Sequence, residues 1–126
     1  MTALQILSLG DAAAMAELHA ATFSASEAWP VNAFKDLVVQ QTTLTAGLVV
    51  DGDLQAMLVA QFVAGEAEIL TLATAPVARR RGFAGKLLSD LEQRLRPEGL
   101  TKWLLDVAAD NVGAIAFYEK QGFQVD

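Results

Sequence analysis

The segment between Leu44 and Val63 constrains the fold most. Two apolar runs, Leu44–Val50 and Leu54–Val63, flank the tripeptide Asp51-Gly52-Asp53. An Asp-Gly pair readily takes the positive φ angles that a tight hairpin turn requires, so the two runs are expected to pair as antiparallel strands. Gly65 marks a second turn, and Glu68–Thr74 reads as a third strand ended by Pro76. The pattern then changes period. Phe83, Leu87, Leu88, Leu91 and Leu95 recur on one side of a helix spanning Gly82–Leu95, as packing on a sheet requires. A strand at Lys102–Val107 follows, then a helix at Val112–Gln121 stopped by Gly122, then the start of a strand at Phe123. Upstream, a short strand is expected around Leu4–Leu7. Asp11 is placed to cap a helix running to about Phe23, Ser24–Pro30 reads as a loop, and Asn32–Gln41 suits a second helix. A hairpin region followed by a strand–helix–strand unit predicts an α+β or mixed α/β fold. At 126 residues, the whole of 1–126 is expected to form a single domain.

Composition removes several functions. The chain has no cysteine, which excludes disulfides, thiolate metal sites and a cysteine nucleophile, and fits a reducing compartment. One histidine, His19, excludes a multi-histidine metal site, so no metal is expected. His19 itself reads as an ordinary helix residue. No apolar run approaches the roughly 18 residues of a membrane span. No Lys or Arg precedes Lys35, so the basic start of a signal peptide is missing, and a cytoplasmic location without membrane partners is expected.

The net charge is −6, yet seven of the nine bases fall between Arg79 and Lys102. A local basic cluster on an acidic chain points to a specific anion site rather than to nucleic acid, with a solvated helix face as the plainer reading. The anion site gains weight from the local pattern. Strand Glu68–Thr74 runs through Pro76 into Arg79-Arg80-Arg81-Gly82-Phe83-Ala84-Gly85, which opens the amphipathic helix. The first helical turn carries unpaired N–H groups at the positive end of the helix dipole. Small residues at Gly82, Ala84 and Gly85 let a pyrophosphate approach them. Walker A spacing and the three-glycine Rossmann fingerprint are both absent.

The spacing Arg79-x-x-Gly82-x-Ala84 resembles the acyl-CoA signature of the GNAT superfamily of N-acetyltransferases. A second stretch, Trp103 through Phe123, resembles that superfamily's other hallmark: a strand leading to Asn111, then Ala114-Ile115-Ala116-Phe117-Tyr118 and Gly122-Phe123. Within the superfamily the sequence is most similar to the ribosomal-protein alanine N-acetyltransferases, whose Trp and Phe before the second helix are matched by Trp29 and Phe34. The resemblance implies a mixed, mostly antiparallel sheet flanked by helices, with acetyl-CoA as cosubstrate. It implies cofactor contacts at Leu72, Ala73 and Thr74, at Arg79 through Gly85, and at Asn111. It places a carboxylate base at Asp106 and a tyrosine acid at Tyr118. The implied acceptor is a protein N-terminus or a small amine.

The sequence departs from that pattern in three places. The base is usually Glu. A basic residue often found two positions later is Ala108 here. The chain also ends at Asp126, so the last strands are expected to be incomplete, leaving an edge through which two copies could pair. Plainer roles exist for each residue. Asp106 could accept hydrogen bonds from the next turn, Tyr118 could be core, Asn111 could be only a helix cap, and Trp29 could fill the core rather than line an acceptor groove. The whole chain could also bind acetyl-CoA with little catalysis.

Overall fold

The computed structural model describes residues 2–23, 26–78 and 81–105. Among these, five strands form one sheet in chain order: β1 (Thr2–Ile6), β2 (Thr43–Val50), β3 (Asp53–Val63), β4 (Glu66–Thr74) and β5 (Lys102–Leu105). Strands β1 to β4 pair antiparallel, and β5 lies parallel to β4. Two helices, α1 (Ala12–Thr22) and α2 (Val31–Val38), lie between β1 and β2. A third, α3 (Phe83–Leu95), crosses from β4 to β5. That crossover is what a parallel pair demands, since a tight turn can join only antiparallel neighbours. The expected mixed, mostly antiparallel sheet with flanking helices is therefore present. The helix expected at Val112–Gln121 and the strand from Phe123 lie outside the described residues.

Two-residue turns set the hairpins. Asp51 and Gly52 have φ values of 52° and 87°, and Ala64 and Gly65 have 53° and 83°. Positive φ at both central positions matches the right-handed twist of the strands they join. Gly65 also faces the distant connection to β5. Its carbonyl accepts hydrogen bonds from the Thr101 amide at 2.7 Å and the Thr101 hydroxyl at 2.9 Å. A Cβ on Gly65 would stand 2.9 Å from the Gly99 carbonyl oxygen, so the approach itself requires glycine.

Alternation along the strands builds one apolar layer on each face. On one side, Ala46 and Leu48 of β2, Ala56, Leu58 and Ala60 of β3, and Ile69 of β4 pack against Leu87, Leu88 and Leu91 of α3. On the other, Met57 and Val59 of β3 and Ala73 of β4 pack against Ala12, Met15, Ala16 and Leu18 of α1 and Phe34 of α2. Met15, Phe34, Met57, Leu58 and Leu87 are fully buried. Each such side chain contributes about 1.5–3 kcal/mol of transfer free energy.

Two irregularities break the alternation. In β3, Leu54 pairs with Val49 and Ala56 with Leu48, so Gln55 is an extra residue. In β4, Ile69 pairs with Ala60 and Thr71 with Val59, so Leu70 is extra. This β4 bulge reverses the parity of the strand. Ile69 and Leu72 join the α3 layer, whereas Leu70 and Ala73 join the α1–α2 layer.

The structure corrects two expectations. Asp11 precedes α1, but its carboxylate does not cap that helix. It turns back to accept a hydrogen bond from the Ser8 amide at 2.8 Å, closing a 3-10 turn at Leu9–Asp11. Helix α2 ends at Val38 rather than Gln41. The Gln40 amide bonds to the Leu37 carbonyl, and the Gln40 carbonyl accepts from Thr43, which starts the turn into β2.

Candidate functional site

The end of β4 leads through a 3-10 turn at Pro76–Ala78 to the N-terminus of α3. Ala78 is buried and fastens this turn, while Arg81 and Gly82 are exposed. Gly82 occupies the N-cap position with φ of 76°, in the left-handed region that disfavours other residues. A Cβ there would meet nothing within 4 Å, so backbone conformation rather than crowding selects glycine. Among the described residues, no side chain caps the helix. The Lys86 amide closes the first helical turn on the Gly82 carbonyl at 3.0 Å. The amides of Phe83, Ala84 and Gly85 precede that bond, have no partner within the helix, and belong to partly exposed residues. A helix start without a side-chain cap among the described residues, with small residues and Arg81 beside it, suits a pyrophosphate such as that of the expected coenzyme.

The basic cluster does not act as one patch. Lys86 pairs with Asp90 at 3.2 Å, Arg96 with Glu92 at 2.9 Å, and Lys102 with Glu66 at 3.3 Å. The solvated-face reading therefore fits Lys86, Arg96 and Lys102. Arg81 stands at the loop, while Lys86, Arg96 and Lys102 further along are tied to carboxylates.

Leu72, Ala73 and Thr74 form the last turnless stretch of β4 before this loop. The Ala75 amide donates to the Gln55 carbonyl of β3 at 2.8 Å. Amides alternate sides along a strand, so those of Leu72 and Thr74 point away from β3. On that side the described pairing with β5 stops at Ile69 and Leu105. The strand thus offers backbone donors beyond the point where its described neighbour ends. Arg79, Arg80, Asp106, Asn111 and Tyr118 lie outside the described residues. No group of three potential metal-binding side chains occurs among the described residues, and no described helix is long and apolar enough to cross a membrane.

His19 lies in helix α1 as expected, and the structure adds that it is buried. Its side chain is 1% exposed, and both ring nitrogens are engaged. The Trp29 amide donates to Nδ1 at 3.1 Å, and Nε2 lies 3.0 Å from the Thr71 hydroxyl oxygen. An amide N–H can only donate, so Nδ1 is the bare nitrogen and Nε2 carries the proton. The ring stacks on Phe23 at 4.2 Å and on Trp29 at 5.0 Å, with Phe34 edge-on at 5.5 Å. Burial pushes the imidazole below its ordinary value, so it is held neutral. Trp29 is partly buried against the α1–α2 layer, in the same cluster as Ala73 and Ala75. The sequence did carry one signal for this arrangement, since His19 and Phe23 share a helix face at i, i+4. The contacts with Trp29 and Thr71 had none.

The Acetyltransferase (GNAT) family model matches residues 12–123. The ribosomal protein bS18-alanine N-acetyltransferase of Salmonella typhimurium is 36% identical over 80 residues, 64% of this chain and 54% of that protein. The enzyme of the same name from Escherichia coli is 36% identical over 73 residues, 58% of this chain and 49% of that protein. The match thus spans about half the length of these curated relatives. The crystal structure of the Escherichia coli ribosomal-protein alanine N-acetyltransferase superposes with a TM-score of 0.90 at 27% identity, covering 98% of this chain and 78% of that one. The PaiA N-acetyltransferase of Thermoplasma acidophilum, crystallised with coenzyme A, shares the fold with a TM-score of 0.91 at 21% identity, covering 100% and 91%. A family match running from the start of α1 to beyond β5 establishes that the chain belongs to the acetyltransferase (GNAT) family.

Proposed function

We propose that the protein transfers acetyl from acetyl-CoA to a primary amine, the N-terminal α-amino group of a ribosomal or other protein, within one ternary complex. The observation that carries this reading is the start of α3 at positive-φ Gly82, directly after β4, in a chain of this family. Bound acetyl-CoA supplies an activated thioester. The amides of Phe83, Ala84 and Gly85, with Arg79, Arg80 and Arg81, hold its diphosphate, and Asn111 adds a contact. The Leu72 and Thr74 amides polarise the thioester carbonyl, and Ala73 lies between them.

Asp106 takes the proton from the attacking amine, directly or through a water, and Tyr118 returns a proton to the departing sulfur. Without cysteine there is no thiol to carry the acetyl group on the enzyme, which favours direct attack. An α-amino group titrates near ~8, against ~10.4 for lysine, so an N-terminus reaches its nucleophilic neutral form more easily. The relatives' names supply alanine as the first residue to test. This reading also has residues 1–126 acting as one domain in the cytoplasm.

The test is acetyl transfer to peptides with a free N-terminal alanine and to a panel of small amines, read by mass spectrometry alongside acetyl-CoA titration calorimetry. Acetylated peptide N-termini are expected. Acetylation of small amines alone would replace the protein acceptor with a metabolite. Acetyl-CoA binding without turnover on any amine would leave a binding module.

A further inference from the structure

We propose that His19 is a positioning residue for the acceptor, fastening the segment around Trp29 to the strand that carries Thr71 and Leu72. The inference rests on the acetyltransferase reading above. His19 cannot itself touch substrate, because it is 1% exposed. It instead joins two parts of the chain, the segment around Trp29 and the strand just before Leu72. Its Nδ1 accepts the Trp29 amide, and its Nε2–H reaches the Thr71 hydroxyl, 52 residues away. Trp29 lies between α1 and α2 where no regular structure holds the backbone, and the next residue, Pro30, has no amide to donate. Thr71 immediately precedes Leu72, and the bulge at Leu70 is what turns Thr71 to the α1 face.

A side chain that only filled this space would be cheaper as an apolar ring. Burying an imidazole costs desolvation that only its hydrogen bonds offset. The Phe23 and Trp29 rings on which it stacks restrain the imidazole, and with it the direction of both bonds. Trp29 packs on the same apolar cluster as Ala73, and in this proposal the held Trp29 is a wall of the acceptor site.

The test compares His19→Asn, His19→Gln, His19→Phe and Thr71→Val. An Asn amide oxygen can replace Nδ1 as acceptor for Trp29, whereas Phe replaces neither nitrogen. The acceptor KM for an N-terminal-alanine peptide should rise about 5- to 100-fold in His19→Phe, the cost of leaving the partly buried Trp29 amide without its partner. Acetyl-CoA affinity should stay within about twofold, and His19→Asn should recover most of the loss. His19→Gln and Thr71→Val each weaken one end and should fall between. Hydrogen exchange at the Trp29 amide should accelerate about tenfold or more in His19→Phe, a readout independent of activity. A folded His19→Phe with wild-type acceptor KM would overturn the inference, and so would equal losses of acceptor and acetyl-CoA binding. If His19→Phe does not fold, Thr71→Val decides: an unchanged acceptor KM would overturn the inference. Wild-type protein that binds no acetyl-CoA would instead remove the acetyltransferase reading, and the acceptor role with it.

Discussion

Lowering the pH from about 7.5 to about 5.5 should destabilise the protein through His19. The folded imidazole is buried, neutral and pushed below its ordinary pKa, while in the unfolded chain it titrates near about 6.5. The unfolded state therefore binds more protons as pH falls. The stabilising contribution is fully present above the unfolded pKa and is lost progressively on acidification below it. In the limit where the folded ring takes up no proton, the loss across this range is about 1.4 kcal/mol. With 126 residues, at about 2.1 cal/mol/K each, unfolding entropy near the midpoint is about 0.26 kcal/mol/K. The Tm should therefore drop by up to about 5 °C. The sequence holds no second histidine to confuse the window. Differential scanning calorimetry of wild type and His19→Asn at both pH values measures the effect, the variant subtracting every other group. A wild-type Tm that holds within about 1 °C, or a variant with the same slope, would refute the buried neutral imidazole.

Gly82→Val forces a β-branched residue into a left-handed backbone, costing about 1–2 kcal/mol, and should abolish acetyl-CoA binding by calorimetry. Ala84→Glu places a carboxylate at the same helix start and should abolish binding with little change in Tm, because Ala84 is partly exposed. Phe34→Ala empties a fully buried site and should cost about 3–5 kcal/mol in denaturant unfolding. Tyr118→Phe should lower kcat by about a hundredfold while leaving acetyl-CoA affinity intact. Turnover within about threefold of wild type, with chemistry limiting, would reduce Tyr118 to a packing residue.

The features readable in the sequence are those governed by neighbours along the chain. Asp51-Gly52 fixed the first hairpin to within one residue at each strand end, because its turn geometry is set locally. The period of Phe83 to Leu95 set α3 equally well, and small residues at its start marked the loop. Strand β4 begins at Glu66, two residues before its apolar pattern suggests. Lys102 pairs with Glu66 across the parallel β5, a contact 36 residues distant. The bulges at Gln55 and Leu70 depend on how strands register against each other. The burial of His19 was hidden for the same reason, since it depends on rings from α2 and the preceding segment and on a hydroxyl from β4. Asp11 was placed beside the correct helix, but the 3-10 turn before it claimed the carboxylate.

The extra residue at Leu70 makes the length of β4 a matter of chemistry as well as of reach. Removing one residue there would let the strand pair regularly with β3, an apparent improvement in the ladder. It would also move either the residues before the deletion or those after it to the opposite face. If Ile69 kept its place in the α3 layer, the Thr71 hydroxyl would leave His19 and Ala73 would leave the α1–α2 layer. Chains descended from this one can therefore exchange side chains along β4 more freely than they can gain or lose a residue within it.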